Sequence, residues 1–206
     1  MLDKPEMVLI DVDGTLVDSV PDLAFCVDEM MKKLGLPVRG ENAVRDWVGN
    51  GVERLVRRAL VNQLDGEPEE VLFLKAYPIF LELYSENTCR HGCLYEGVRE
   101  GLDWLKSQGI RLGCVTNKAA SCTLPLLNQL GIDQYFTSIV SGDTCAHKKP
   151  HPEPLLFGVE EMELKPDECA LVGDSAHDIH AARAAGIPAI AVNYGYNQGV
   201  DLRTEN

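Results

Sequence analysis

Positive charge is scarce in this chain of 206 residues. Its 19 lysines and arginines face 32 aspartates and glutamates, a formal net charge of -13. Such a field repels nucleic acid and anionic membrane surfaces, so neither is an expected partner. Apolar runs approaching the ~20 residues of a membrane span are also absent, and the start of the chain, with Asp3 and Glu6, lacks the basic end and apolar centre of a signal peptide. A cytoplasmic location is expected. The seven cysteines (26, 89, 93, 114, 122, 145 and 169) are odd in number and scattered through apparent helices and strands, as reduced thiols are and a disulfide framework is not. Cys89, His91 and Cys93 are zinc-ligand types, but no second ligand pair of suitable spacing accompanies them. There is no internal repeat and no low-complexity segment, and only the tail, 198–206, reads as weakly ordered.

The remainder is ordinary for a globular protein, 45% hydrophobic and 25% charged. It is long enough for one large domain or for a core domain with a smaller companion, as a monomer or a homodimer. Met7 to Ile10 reads as a buried strand. From Ser19 the apolar spacing turns helical: Leu23, Val27, Met30, Met31 and Leu34 recur at three- and four-residue steps. Val44, Trp47 and Val48 predict a short helix closed by Gly49-Asn50-Gly51. Val52 to Leu60 predicts a third, and 69–84 a fourth that Pro78 should kink. From Val98 helices alternate with the predicted strands 110–115, 138–140, 169–172 and 189–192. Alternation of this kind implies an α/β fold with a doubly wound parallel sheet, Rossmann-like, whose ligands bind at the carboxyl ends of the strands. The helical stretch 19–87 interrupts it as a small insert, leaving 1–18 and 88–206 as the core.

Polar residues collect at those strand ends. Asp11 and Asp13 follow the first strand and, in extended chain, point to the same side, where two carboxylates crowd unless a cation or ligand lies between them. An acidic turn is the plain alternative. A calcium loop fits poorly, because counting from Asp11 the glycine is fourth, not sixth, and position twelve is Asp22, not glutamate. Thr116 and Asn117 follow another strand, and Gly173-Asp174-Ser175 with Asp178 a third. Carboxylates suited to Mg²⁺, hydroxyl and amide donors, and a lysine before Pro150 together point to phosphate chemistry, in which a carboxylate attacks phosphorus and a second one moves protons. His177 and His180, three residues apart at a helix start, read as surface histidines.

Asp11-Val-Asp13-Gly14-Thr15, Thr116-Asn117-Lys118, Lys149-Pro150 and Gly173-Asp174-Ser175-x-x-Asp178 resemble, in order, the four motifs of the haloacid dehalogenase-like phosphatases. The resemblance implies that Asp11 is the nucleophile and Asp13 the acid and base. It implies that Thr116, Asn117 and Lys149 bind phosphate, and that Mg²⁺ is held by Asp11, Asp13 through its carbonyl, Asp174 and Asp178. Residues 19–87 are then the helical cap. Lys148 competes with Lys149 for the phosphate role, and the adjacent Pro150 favours Lys149. Trp47-Val-Gly49-Asn50-Gly51 and Tyr194-Gly195-Tyr196-Asn197 with Gly199 are similar to the phosphoglycolate phosphatase branch. That implies 2-phosphoglycolate as substrate, with Gly49, Asn50, Gly51 and Arg54 meeting it. Alternatives are a phosphatase for another small metabolite or sugar phosphate, a phosphomutase, or a non-catalytic Mg²⁺-binding protein. The last is disfavoured because both Asp11 and Asp13 are present.

Overall fold

The computed structural model describes residues 4–197 and 201–202. Asp3 and the tail residues 198–200 and 203–206, Gly199 among them, about which the sequence raised expectations, lie outside the described residues. In chain order the strands are β1 (Met7–Ile10), β2 (Val17–Asp18), β3 (Cys93–Leu94), β4 (Arg111–Val115), β5 (Ser138–Val140), β6 (Cys169–Gly173) and β7 (Ala189–Ala191). The α-helices are α1 (Val20–Lys33), α2 (Glu41–Trp47), α3 (Val52–Val61), α4 (Glu70–Asn87), α5 (Val98–Ser107), α6 (Ala120–Gln129), α7 (Glu153–Glu161) and α8 (Ala176–Ala185). The chain divides into two compact units, 1–18 with 94–206, and 19–93.

The larger unit is built on a parallel sheet of order β5-β4-β1-β6-β7. Leu9 lies in register between Gly113 and Leu171. A side chain at Gly113 would come within 2.7 Å of Leu9 and Met7, so glycine there lets β1 and β4 carry large residues in one layer. Met7 and Leu9 pack with Leu155 and Val159 of α7 and Ala181, Ala182 and Ala185 of α8. Val8, Ile10, Leu112 and Cys114 alternate to the opposite face and are buried too. Burial on both faces explains why β1 reads as a continuous apolar run. The order reverses at β1, with β4 on one side and β6 on the other, so the exits of these three strands converge at one topological switch point.

Apolar periodicity located the long elements well. It could not reveal β2 and β3, whose two residues each carry no period, and α4 continues through Pro78 to Asn87. The smaller unit extends beyond α4 to Cys93 because Asp22, buried in α1, accepts the N–H groups of Cys89 (2.8 Å) and His91 (2.7 Å). A carboxylate organises that cysteine-containing loop, and all seven cysteines are thiols. Among the described residues no helix is long and apolar enough to cross a membrane.

Arg58 is the residue of this unit that sequence reasoning passed over. It is buried in α3, where its guanidinium donates to the Trp47 carbonyl (2.6 Å), Asn50 Oδ1 (2.9 Å) and the Leu64 carbonyl (2.8 Å). One side chain thus pins the Gly49–Gly51 turn to α3. Arg58→Met leaves these acceptors without their donor. It is expected to lower unfolding free energy by at least about 2 kcal/mol and to speed amide exchange at 48–51, read by urea titration and hydrogen exchange.

Candidate active site

Two of the three converging strand exits, those of β1 and β6, deliver carboxylates, and the β4 exit delivers Thr116 and Asn117. Asp11 follows β1 directly, its N–H bonded to the Val172 carbonyl at 3.0 Å, and Asp174 follows β6. Asp178 occupies the first turn of α8, where Ser175 and Asp178 form a reciprocal cap: Asp178 Oδ2 accepts the Ser175 N–H (3.1 Å) and hydroxyl (2.6 Å). Oxygens of Asp11, Asp174 and Asp178 lie within 4.8 Å of one another, all three residues buried.

Lys149 enters this cluster from the loop after β5. Its ammonium donates to Asp178 Oδ1 (2.6 Å) and to the Val115 carbonyl (2.8 Å), and lies 2.9 Å from Asp11 Oδ1 without hydrogen-bond alignment. Burial opposes its charge, but Asp11 and Asp178 hold its pKa above the ordinary lysine value. Burial likewise opposes ionisation of Asp178, yet Lys149 and the Ser175 bonds keep it below the usual carboxylate range. Asp174 has no such cation. Burial, with the charges of Asp11 and Asp178 adding, pushes it up to about 8. Burial also pushes Asp11 up to about 6, against the pull of Lys149.

Asp13 stands beside a second buried cation. Lys118 donates to Asp13 Oδ2 at 3.0 Å, and the other oxygen, Oδ1, is buried with no hydrogen-bond partner. The unaligned Asp11 Oδ1 and orphaned Asp13 Oδ1, with the raised Asp174, mark a place where negative charge is under-compensated. That donor set, all hard oxygen, fits a small divalent cation.

A loop near the end of the described chain clasps the cluster. Tyr196 N–H donates to Asp174 Oδ2 (2.6 Å) while Thr15 Oγ1 donates to Asp174 Oδ1 (3.0 Å). Tyr196 Oη donates to Asp18 Oδ1 (2.6 Å) and Tyr194 Oη to the Thr15 carbonyl (2.9 Å). Gly14, at φ +90°, and Gly195 make room for this. A Cβ at Gly195 would lie 2.3 Å from Asp174 Oδ2, and one at Gly14 2.1 Å from the same atom.

The structure thus brings Asp11, Asp13, Thr116, Asn117, Lys149, Asp174 and Asp178 to one sheet edge. Thr116 is buried, its Oγ1 accepting the Lys118 N–H at 3.2 Å. Lys149 is buried among the carboxylates and Lys148 is exposed. Asn117 lies behind the lysine loop: its carboxamide donates to the Lys149 carbonyl (3.0 Å) and accepts the Lys149 N–H (2.9 Å), so the side chain holds that loop in place. Sequence reasoning missed Lys118, although it stands in the quoted Thr116-Asn117-Lys118 segment, because nothing local says that its ammonium returns to Asp13. Gly49, Asn50, Gly51 and Arg54 belong to the smaller unit, where Arg54 pairs with Glu67 and donates to the Leu64 carbonyl.

A parallel sheet with paired aspartates at its switch point, a buried lysine and a second acidic strand exit defines a hydrolase architecture. The chain belongs to the haloacid dehalogenase-like hydrolase family, whose model matches residues 8–192. It is 61% identical over 203 residues to a phosphoglycolate phosphatase of Nitrosococcus oceani, covering 98% of this chain and 90% of the relative. It is 46% identical to one of Nitrosospira multiformis, covering 95% and 86%. A crystal structure of a predicted phosphoglycolate phosphatase from Haemophilus somnus superposes with a TM-score of 0.92 at 36% identity, covering 100% of this chain and 93% of that one.

Two substitutions test the cluster. Lys149→Ala removes one partner from a buried ion network and is expected to cost about 3–5 kcal/mol of stability in denaturant titration. Gly195→Ala pushes against Asp174 and is expected to weaken Mg²⁺ binding by about tenfold or more, read by calorimetry, while circular dichroism stays native.

Proposed function

We propose that the protein is a Mg²⁺-dependent phosphatase of the cytoplasm whose substrate is 2-phosphoglycolate, released as glycolate and phosphate. The observation that carries this reading is the buried Asp11 carboxylate, held against Lys149 with one oxygen unaligned, beside a second aspartate whose Oδ1 has no partner. The names of the relatives at 61% and 46% identity support the substrate.

In this reading Asp11, Asp174 and the Asp13 carbonyl would hold Mg²⁺, with Asp178, whose oxygens bond Lys149 and Ser175, a direct or water-mediated ligand. The ion supplies charge neutralisation for the phosphate oxygens. Asp11 attacks phosphorus and forms an aspartyl-phosphate as the bond to the glycolate oxygen breaks. Asp13 gives its Oδ1 proton to that leaving oxygen, then takes a proton from the water that attacks phosphorus and frees Asp11. Lys118, paired through the other oxygen, fixes the Asp13 rotamer. Thr116 and Lys149 hold the transferring group, and Asn117 acts by holding Lys149. The unit 19–93 serves as the cap that selects substrate through Gly49, Asn50, Gly51 and Arg54. Arg54 would exchange Glu67 for the substrate carboxylate.

Inorganic phosphate release with Mg²⁺ is the test, across 2-phosphoglycolate, glucose phosphates, glycerol phosphates, nucleoside monophosphates and phosphoserine. A clear preference for 2-phosphoglycolate is expected. Broad weak hydrolysis would remove the substrate assignment and leave the chemistry. Asp11→Asn is expected to abolish turnover with the fold intact, and substantial residual activity would exclude it as nucleophile. Arg54→Ala is expected to raise KM for 2-phosphoglycolate more than it lowers kcat.

A further inference from the structure

The loop that carries Lys149 holds a second group of metal-ligating side chains, outside the aspartate cluster. His147, His151 and Glu153 each offer a ligand atom within 4.8 Å of the other two. A turn makes the meeting. His151 N–H donates to the Lys148 carbonyl at 2.9 Å, which returns the chain and stacks the two imidazoles at 4.2 Å between centroids, 21° apart in plane. Glu153 Oε2 accepts the His147 N–H (2.8 Å) and lies 2.8 Å from His147 Nδ1. His151 Nδ1 accepts the Glu153 N–H over a longer 3.2 Å. The group is open to solvent, with the His147 side chain 60% and the Glu153 side chain 37% exposed.

We propose that His147, His151 and Glu153 form a binding site for a borderline divalent cation of the Zn²⁺ class. Two imidazoles and one carboxylate are the ligand set of many three-ligand zinc sites, with water completing the tetrahedron. Ligand atoms around Zn²⁺ at bond lengths of 2.0–2.1 Å stand about 3.4 Å apart. The 2.8 Å contact of His147 with Glu153 therefore opens slightly and the widest separation closes. Coordination moves the His147 ring proton to Nε2, freeing the Nδ1 lone pair, and exchanges the His147–Glu153 hydrogen bond and the long bond at His151 for metal–ligand bonds. Mg²⁺ does not compete, because it prefers oxygen ligands and octahedral geometry. An occupied site cross-links residues 147 and 153 around Lys149, so its occupancy is coupled to the loop that places that ammonium among Asp11, Asp178 and the Val115 carbonyl.

The test is a Zn²⁺ titration of the full chain, with histidine ring nitrogens labelled and Mg²⁺ in excess, followed by NMR and calorimetry. The expected result is a joint shift of the His147 and His151 ring nitrogens at one equivalent, while His91, His177 and His180 stay in place. His147→Gln and Glu153→Gln are each expected to bind that equivalent about tenfold more weakly or worse, with native circular dichroism. Undiminished binding in both variants, or no shift at His147 and His151, overturns the proposal. If one variant fails to fold, the other variant and the wild-type spectra decide.

Discussion

A buried ammonium shared between two carboxylates holds the site together. Lys149 reaches Asp178, Asp11 and the Val115 carbonyl at once, and these come from α8, from the exit of β1 and from the end of β4. Removing a lysine from water costs several kcal/mol, and only multiple short contacts recover that cost. Asn117 closes the arrangement from the backbone side, fixing both the N–H and the carbonyl of Lys149. The ion network therefore works as a register pin: loops from three elements must arrive in one geometry or leave a charge stranded.

The second constraint is steric. Asp174 is approached from two sides by backbone, at Gly14 and at Gly195, and in both places a Cβ would overlap its carboxylate. Hydrogen bonds from Thr15 and Tyr196 then leave Asp174 one rotamer. A carboxylate held this way is ordered in advance, which would lower the entropic cost of binding a cation there. Tyr196 also reaches Asp18, and Tyr194 the Thr15 carbonyl, so the segment after Asp13 is fastened by residues about 180 positions later in the chain.

That distance explains what could and could not be read from the sequence. Motifs local in sequence were legible. Asp11 and Asp13 stand two residues apart after an apolar run, Asp174 and Asp178 bracket a helix start, and β1 and β6 are buried on both faces. The family match across 8–192 bears out the family resemblance that those segments carry. Roles created by long-range contacts were not legible. Lys118 pairs with Asp13 across 105 positions, and Asn117 binds Lys149 across 32. Arg58 looked like one more basic residue on an exposed helix face. Only the fold turns it inward, onto Trp47, Asn50 and Leu64.

The charge inventory explains why such a site needs a cation at all. Four carboxylates, Asp11, Asp13, Asp174 and Asp178, face two ammoniums, Lys118 and Lys149, so the fully ionised cluster carries an excess of two negative charges in a chain already at -13. At an effective dielectric constant of 20, two like charges 4 Å apart repel by about 4 kcal/mol. That repulsion, together with burial, is the physical content of the upward pKa shifts of Asp174 and Asp11. A protonated Asp174 removes one charge, whereas a bound divalent cation would offset both. An anion such as a phosphoryl group can then enter without meeting net negative charge. Lys118 and Lys149 alone cannot provide that entry, since each is already matched to an aspartate, so in this architecture cation binding and anion binding are one electrostatic event.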